Sequence, residues 1–371
     1  MKPVRILHVV TYMGRGGLET MIMNYYRRID REKVQFDFLT HRDFEADYDA
    51  EVLSLGGHIY HLPVLNPFSN TYKRALHDFF QSHPEYKVIH VHQDCLSSVI
   101  LKVARENGVE VRIAHSHSSN QDKNIKYPIK LYYKRKISKY ATHLISCGKD
   151  AGNWMFGGAE FEVLNNAIDV KAYVYNSKKR QDMREKLGIR ENTLLVGHVG
   201  RFFETKNHAF LIDIIAKLSK RMDAKLLLVG DGVLREVIED KVKQAGLEDK
   251  VIFTGVRKDV VDLMQAMDVF VFPSLYEGLP VTMIEAQAAG LPCIISDGVS
   301  RECIKTDMVR QVSLKESIDK WIEEILDAVK MERKNTYEDI KGSGYDIEEN
   351  ARVLQSFYLR LSKGETDACL Y

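Results

Sequence analysis

An α/β protein built from two parallel-sheet domains is predicted by three features of this 371-residue chain. Short β-branched apolar runs alternate with amphipathic runs in the first half, the rhythm lapses in a polar stretch over 165–189, and it then restarts. Parallel strands with crossover helices read this way because both faces of the sheet are covered.

The first half runs as strand "VRILHVV", helix "LETMIMNYYRRI", strand "VQFDFLTH", helix "YDAEVLSLGG", strand "KVIHVH", helix "CLSSVILKVARENG" and strand "VRIAHSHS". A basic helix near 128–140 and the strand "THLISCG" follow. The polar stretch "NNAIDVKAYVYNSKKRQDMREKLGI" holds the expected domain boundary, with 1–180 as the first domain. The second domain, 181–345, alternates "NTLLVGHVG", "HAFLIDIIAKLSKRM", "AKLLLVG", "REVIEDKVKQAG", "KVIFTG", "DVVDLMQAM" and "DVFVFPS". Helices are expected to start near Lys315 and Ile347, the last (346–371) packing back across the first domain. A chain of this length is ordinary for two domains, each burying its own core. Ligands of open α/β sheets bind beyond the carboxyl ends of the strands, so two such domains face to face predict a central cleft.

Composition narrows the function classes. The 53 Lys and Arg balance 52 Asp and Glu to a net charge of +1, which offers no global attraction to nucleic acid or membrane. The five cysteines lack a C-x-x-C pair, against a disulfide framework or a cysteine zinc site and in keeping with a reducing cytoplasm. The N-terminal apolar run is short and lacks a cleavage pattern, and no stretch approaches membrane-spanning length. A dinucleotide fold would want G-x-G-x-x-G where this chain has "GRGGLE", and no P-loop pattern occurs.

Four motifs carry the chemistry. In "YMGRGGLETM" the glycines Gly14, Gly16 and Gly17 stand at a strand-to-helix turn, either to supply positive φ and close packing or to let helix-terminal amides meet an anion. In "RFFETKN" Arg201 and Lys206 lie on the loop after a strand, a pair suited to a diphosphate or else ordinary surface charge. In "SLYEGLPVTMIEAQAAGLP" Glu277 precedes a helix and Glu285 lies within it. Carboxylates accept from vicinal hydroxyls; the plainer reading makes one a complement to the helix dipole and the other a surface residue. His115 and His117 end "VRIAHSHS" on one side of the strand.

The set "GRGGLE", "AHSH", "VGRFFETKN" and "YEGLPVTMIEAQAAGLP" resembles the retaining nucleotide-sugar glycosyltransferases of the GT-B fold, family 4 (group 1), over nearly the whole chain. The overall look is similar to bacterial enzymes of exopolysaccharide or capsule assembly. The resemblance implies two Rossmann-like domains, the first on the acceptor side and the second binding a nucleotide-sugar donor, with uridine as the base. It implies that Arg201 and Lys206 hold the diphosphate without a metal or other cofactor. Glu277 would bind hydroxyls of the transferred sugar beside the amides of Gly278 and Leu279, and Glu285 the ribose. Gly16 and Gly17 would let backbone approach the donor phosphate or acceptor, and His115 would lie beside the anomeric carbon. His92 and His117 would line the acceptor side, with a structural role as the default for His117. The acceptor would be a saccharide or lipid-linked saccharide, and the leaving phosphate would take its proton.

Two departures stand out: "NNAID" replaces the usual P-N-G-[VI]-D, and no G-G-x-x-E follows "CIISDGVSREC". An epimerase or hydrolase of the same architecture, and a non-catalytic sugar-nucleotide-binding partner, are the alternatives. The segment 122–140 carries seven Lys and Arg (Lys123, Lys126, Lys130, Lys134, Arg135, Lys136, Lys139) with Ile129, Tyr132, Tyr133, Ile137 and Tyr140 at helical spacing. It reads as a surface for anionic lipid at the inner face of the membrane, or as a solvated helix whose apolar stripe packs on the sheet. No nucleic-acid recognition motif is present.

Overall fold

The computed structural model describes residues 2–118, 125–365 and 367–371; Asp122 and Lys123 of the basic segment lie outside the described residues. The chain forms two compact units, Met1–Ala167 joined by Asp346–Tyr371, and Ile168–Tyr345.

The first unit holds β1 (Val4–Val9), β2 (Val34–Thr40), β3 (Ile59–His61), β4 (Val88–Val91), β5 (Val111–Ser116), β6 (His143–Ser146) and β7 (Glu162–Val163). They form one sheet in the order β3-β2-β1-β4-β5-β6-β7, with every neighbouring pair parallel. Alternation sorts its side chains. Ile6 and Val10 join the helices Gly17–Arg28 and Ile347–Ser362 on one face. Leu7 and Val9 join the helices Asn70–Ser82 and Ser97–Glu106 on the other. Tyr26 stacks on Phe36 with ring centroids 5.0 Å apart. The buried Asp37 is satisfied by Arg5 (Nε to Oδ2, 2.5 Å), the His58 amide (2.7 Å) and the Tyr86 hydroxyl (2.8 Å), as an interior carboxylate requires.

The last helix packs on the first unit. Asp346 caps it by accepting from the Glu349 amide at 3.1 Å. Its buried stripe (Ile347, Ala351, Leu354, Phe357, Tyr358, Leu361) joins the cluster around Ile6 and Phe36.

The second unit holds β8 (Leu194–Val199), β9 (Ala224–Val229), β10 (Val251–Phe253), β11 (Val269–Phe272), β12 (Cys293–Ser296) and β13 (Val309–Val312). This sheet is also parallel, in the order β10-β9-β8-β11-β12-β13. It is covered by the helices His208–Leu218 and Ile318–Ala328 on one face and Val281–Ala288 on the other. In both sheets the chain reverses its direction of travel once, between β1 and β4 and between β8 and β11. Such switch points are where loops diverge and leave room for a ligand.

The second unit begins at Ile168 rather than after the expected residue 180. The intervening residues are tied into it: Ile168 donates to the Tyr345 carbonyl at 2.9 Å and Gln265 donates to the Tyr173 carbonyl at 2.9 Å. Arg180 pairs with Asp268 at 2.6 Å, and the buried Arg184 reaches Asp268 and the carbonyls of Ala266, Arg190 and Thr193. The basic helix is two short ones, Tyr127–Lys134 and Ile137–Tyr140.

Candidate active site

Three loops converge at the switch point of the second sheet. After β8 the chain passes Gly200 and Arg201, makes one 3-10 turn (Glu204–Lys206) and enters the helix His208–Leu218 through Asn207 in the left-handed region (φ 54°). Phe202 anchors this loop, its ring stacked on His208 at 4.0 Å. The loop after β9 abuts it backbone to backbone. Gly230 has φ +135°, and a Cβ there would lie 2.2 Å from the Gly200 carbonyl oxygen, so only glycine fits. The loop after β11 is tied in by the Leu275 amide on the Thr205 carbonyl (2.8 Å) and by Asn207 Nδ2 on the Pro273 carbonyl (3.2 Å).

Glu277 is held from the far side. Its amide donates to the Gly298 carbonyl at 3.0 Å and its carbonyl accepts from the Ser300 amide at 3.0 Å. The backbone fixed in this way brings Glu277 Oε1 to 2.6 Å from Lys206 Nζ, each side chain 18% exposed. The ammonium also stands 4.7 Å over the Phe272 ring. Arg201, one turn upstream, is exposed and makes no ion pair among the described residues. The amides of Gly278 and Leu279 make no hydrogen bond among the described residues. They precede Pro280, the N-cap of the helix Val281–Ala288.

Glu285 takes a different partner. Its Oε1 accepts from the Tyr173 hydroxyl at 2.7 Å. Burial pushes the carboxyl up from its ordinary value, and the tyrosine hydrogen bond offsets part of that rise. The site thus couples Lys206 with Glu277 and couples Glu285 with Tyr173, a residue with no motif to mark it.

In the first unit, none of Gly14, Gly16 and Gly17 has positive φ, so that explanation of the glycine turn fails. Close packing accounts for Gly14, where a Cβ would meet the Tyr12 ring at 2.4 Å. Gly16 is the extended N-cap (φ −92°, ψ 169°) of the helix Gly17–Arg28. Gly17 opens that helix, and a Cβ there would meet nothing within 4 Å.

The histidines form a ladder. His8 of β1 pairs in register with His90 of β4, and alternation puts His92, His115 and His117 on the same face. His8 Nδ1 lies 3.0 Å from His92 Nε2, and His92 Nδ1 2.9 Å from His117 Nε2. His90 Nε2 lies 3.1 Å from His115 Nδ1, and its Nδ1 2.6 Å from the Tyr358 hydroxyl. Burial holds these imidazoles neutral, with His8 and His117 lowered to about 3. His8, His90 and Tyr358 join the ladder although nothing in the motif "AHSH" points to them.

The basic segment exposes much of its apolar face. Ile125 (93%) and Tyr132 (55%) are exposed, the helix Tyr127–Lys134 buries no residue, and Ile137 alone is fully buried in the helix that follows. Lys134 lies over the Trp154 ring at 4.2 Å and Lys136 donates to the Tyr132 hydroxyl at 2.5 Å. None of the described helices is long and apolar enough to cross a membrane.

Residues 15–172 match the family described as Glycosyltransferase Family 4, and residues 179–346 that described as Glycosyl transferases group 1. The chain is 39% identical over 370 residues to EpsF of Bacillus subtilis (strain 168), spanning 95% of this chain and 96% of that one. It is 23% identical to the capsular polysaccharide biosynthesis glycosyltransferase CapH of Staphylococcus aureus, over 96% of this chain and 99% of that one. Among solved structures, HepE of Anabaena, crystallised with UDP and glucose, superposes with a TM-score of 0.71 at 19% identity, covering 98% of this chain and 99% of that one. At that identity the likeness speaks for the fold, the two Rossmann-like domains of the GT-B class. With full-length similarity to EpsF and a family match on each half, the chain belongs to the glycosyltransferases of family 4, group 1.

Proposed function

We propose that this protein is a retaining glycosyltransferase that moves a sugar from a nucleotide diphosphate sugar, a UDP-sugar, to a saccharide or lipid-linked saccharide acceptor in surface polysaccharide assembly. The observation that carries the reading is the partly buried Lys206–Glu277 pair at the switch point of the second sheet, with Arg201 exposed beside it. A diphosphate leaving group develops charge as the glycosidic bond breaks, and two fixed cations stabilise that charge without a metal. Glu277, gripped through its own backbone, accepts from hydroxyls of the transferred sugar, with the amides of Gly278 and Leu279 turned to the same donor. Glu285, steadied by Tyr173, takes the ribose. His115 lies beside the anomeric carbon, His92 and His117 line the acceptor side, and Gly16 and Gly17 let the first unit's backbone approach the substrate. The names of CapH and of HepE's bound UDP agree with this donor and pathway class.

The enzyme acts at the cytoplasmic face of the membrane, where the exposed apolar and basic side chains of residues 125–140 meet anionic lipid; each cation near such a surface contributes about 1 kcal/mol. The test of the donor reading is a thermal-shift panel of nucleotide sugars. One uridine diphosphate sugar raises the melting temperature strongly in wild type and not in Arg201→Ala or Lys206→Ala. A panel in which no nucleotide sugar shifts the transition would overturn it.

A further inference from the structure

We propose that His92, His115 and His117 form a three-histidine site for a borderline divalent cation of the zinc class, at the carboxyl end of β5 in the first unit. Two H-x-H pairs on adjacent parallel strands put imidazoles side by side, and one nitrogen from each of these three residues lies within 4.8 Å of the other two. His92 Nδ1 and His117 Nε2 are 2.9 Å apart, and the His115 and His117 ring centroids 4.0 Å. Imidazole nitrogens on a tetrahedral zinc sit at roughly 2.0–2.1 Å from the metal and so somewhat more than 3 Å from one another. Small ring rotations cover the difference.

A ladder of hydrogen-bonded neutral rings explains part of this geometry and leaves a remainder. His115 is 2% exposed, yet its Nε2 has no hydrogen-bond partner, and neither has the buried Nδ1 of His117. Orphaned polar atoms in the interior are uncommon, and the His115 nitrogen, next to two further imidazoles at one strand end, calls for a ligand.

The surrounding groups suit the tautomers that metal binding needs. His115 can offer Nε2 while its Nδ1–H donates to His90 Nε2 (3.1 Å), and His90 in turn donates to the Tyr358 hydroxyl (2.6 Å). His92 can offer Nδ1 while its Nε2–H donates to His8 Nδ1 (3.0 Å). Two of the three ligands therefore have the outer hydrogen bond that orients a metal-bound histidine. His117 offers Nε2 and is only half-buried, which gives the ion a way in and keeps a fourth position for solvent. The neighbouring triad of His8, His90 and His92 is buried on every member and has no such opening.

Imidazole without carboxylate favours zinc, cobalt or nickel over magnesium or calcium. Because His115 and His117 also stand on the acceptor side of the proposed reaction, an ion held there blocks transfer. That consequence rests on the proposed function; the binding does not.

The test is titration of untagged, chelator-stripped full-length protein with Co2+, read by its visible absorption, followed by displacement with Zn2+. One equivalent of cobalt with intense tetrahedral-type bands is expected in wild type and in His58→Ala, an exposed histidine outside the ladder. His117→Gln, a change at the half-buried mouth, should weaken binding by at least about tenfold, and His92→Asn provides a second variant with circular dichroism checking the fold of both. No stoichiometric cobalt binding, or binding unchanged in both folded variants, would overturn the proposal. If cobalt binds as expected but Zn2+ leaves sugar transfer untouched, the metal site stands and the acceptor-side role of these histidines falls.

Discussion

Lys206 and Glu277 are the pair on which the proposed donor site turns, and their geometry sets the size of what truncation should do. The ammonium and carboxylate are 2.6 Å apart with 18% of each side chain exposed, so neither is fully hydrated when its partner is removed. Lys206→Ala leaves the Glu277 carboxylate without its ammonium partner, and Glu277→Ala leaves the Lys206 ammonium without its carboxylate, over the Phe272 ring. Each single change should cost about 1–3 kcal/mol of stability, the range for stranding a partly buried polar or charged group. The double variant should cost little more than either single, a coupling on the order of 1–2 kcal/mol. Activity should follow another pattern. Loss of one fixed charge from a preorganised site lowers turnover by about 10²–10³-fold, and the double variant should fall no further than the worse single because the two act as a unit. Urea unfolding of the four proteins measures the first cycle, and initial rates with the donor identified by thermal shift measure the second. Additive stability losses, or Lys206→Ala turning over at a near-normal rate, would show that the pair is surface charge and that the donor site lies elsewhere.

The other carboxylate should behave as a binding group: Glu285→Ala raises the donor KM with little change in kcat, and Tyr173→Phe does the same to a smaller degree, whereas Glu277→Ala mainly lowers kcat. A reversed pattern in a donor titration would exchange their roles. Gly230→Ala forces a Cβ to within 2.2 Å of the Gly200 carbonyl at φ +135°, so it should lose about 1–3 kcal/mol by denaturant unfolding and lose donor binding with it; unchanged binding would detach the loop after β9 from the site. His41, buried between the Val10 carbonyl (3.0 Å) and the Tyr72 hydroxyl (2.9 Å), is lowered to about 4. The unfolded chain protonates it below about pH 6.5 and the native state does so only near 4, so its stabilising contribution is complete above 6.5 and lost on acidification. Between pH 7 and pH 5 that loss is about 2 kcal/mol, and His41→Gln should flatten the stability profile by that amount in chelator-containing buffer. An unchanged slope would refute the assignment.

Much of the fold was legible because strands covered on both faces are largely apolar, as in β1, β8 and β11, and such runs announce themselves. What escaped has particular causes. The strands β3 and β7 span Ile59–His61 and Glu162–Val163, too short for any period to show. The helix Asn70–Ser82 could have been read, since Tyr72, Leu76, Phe79 and Phe80 keep helical spacing behind the cap Ser69. The domain boundary was misplaced because residues 168–180 mix polar and apolar side chains without a clear period and owe their place to distant partners: Tyr173 to Gln265 and Glu285, and Arg180 to Asp268. The same limit applies at the site. Arg201, Lys206, Glu277 and Glu285 stand in recognisable motifs, but nothing in the order of residues tells that Lys206 pairs with Glu277 while Glu285 pairs with a tyrosine from the linking stretch.

Register explains why the first unit hides its chemistry better than the second. In the second unit three of the candidate side chains, Arg201, Lys206 and Glu277, stand on loops, where a charged residue after an apolar strand is conspicuous in the sequence. In the first unit His8, His90 and His115 lie within β1, β4 and β5, and His92 and His117 one residue past β4 and β5, where each reads as an isolated polar residue at or in an apolar run. Only the pairing of His8 with His90, and of β4 with β5, turns five scattered residues into a ladder. The ladder thus spans β1, β4 and β5, across the reversal between β1 and β4. A parallel sheet with one reversal of direction therefore buries the strands that carry the histidines, with His8, His90 and His115 inside, while His117, one residue past β5, is half-buried.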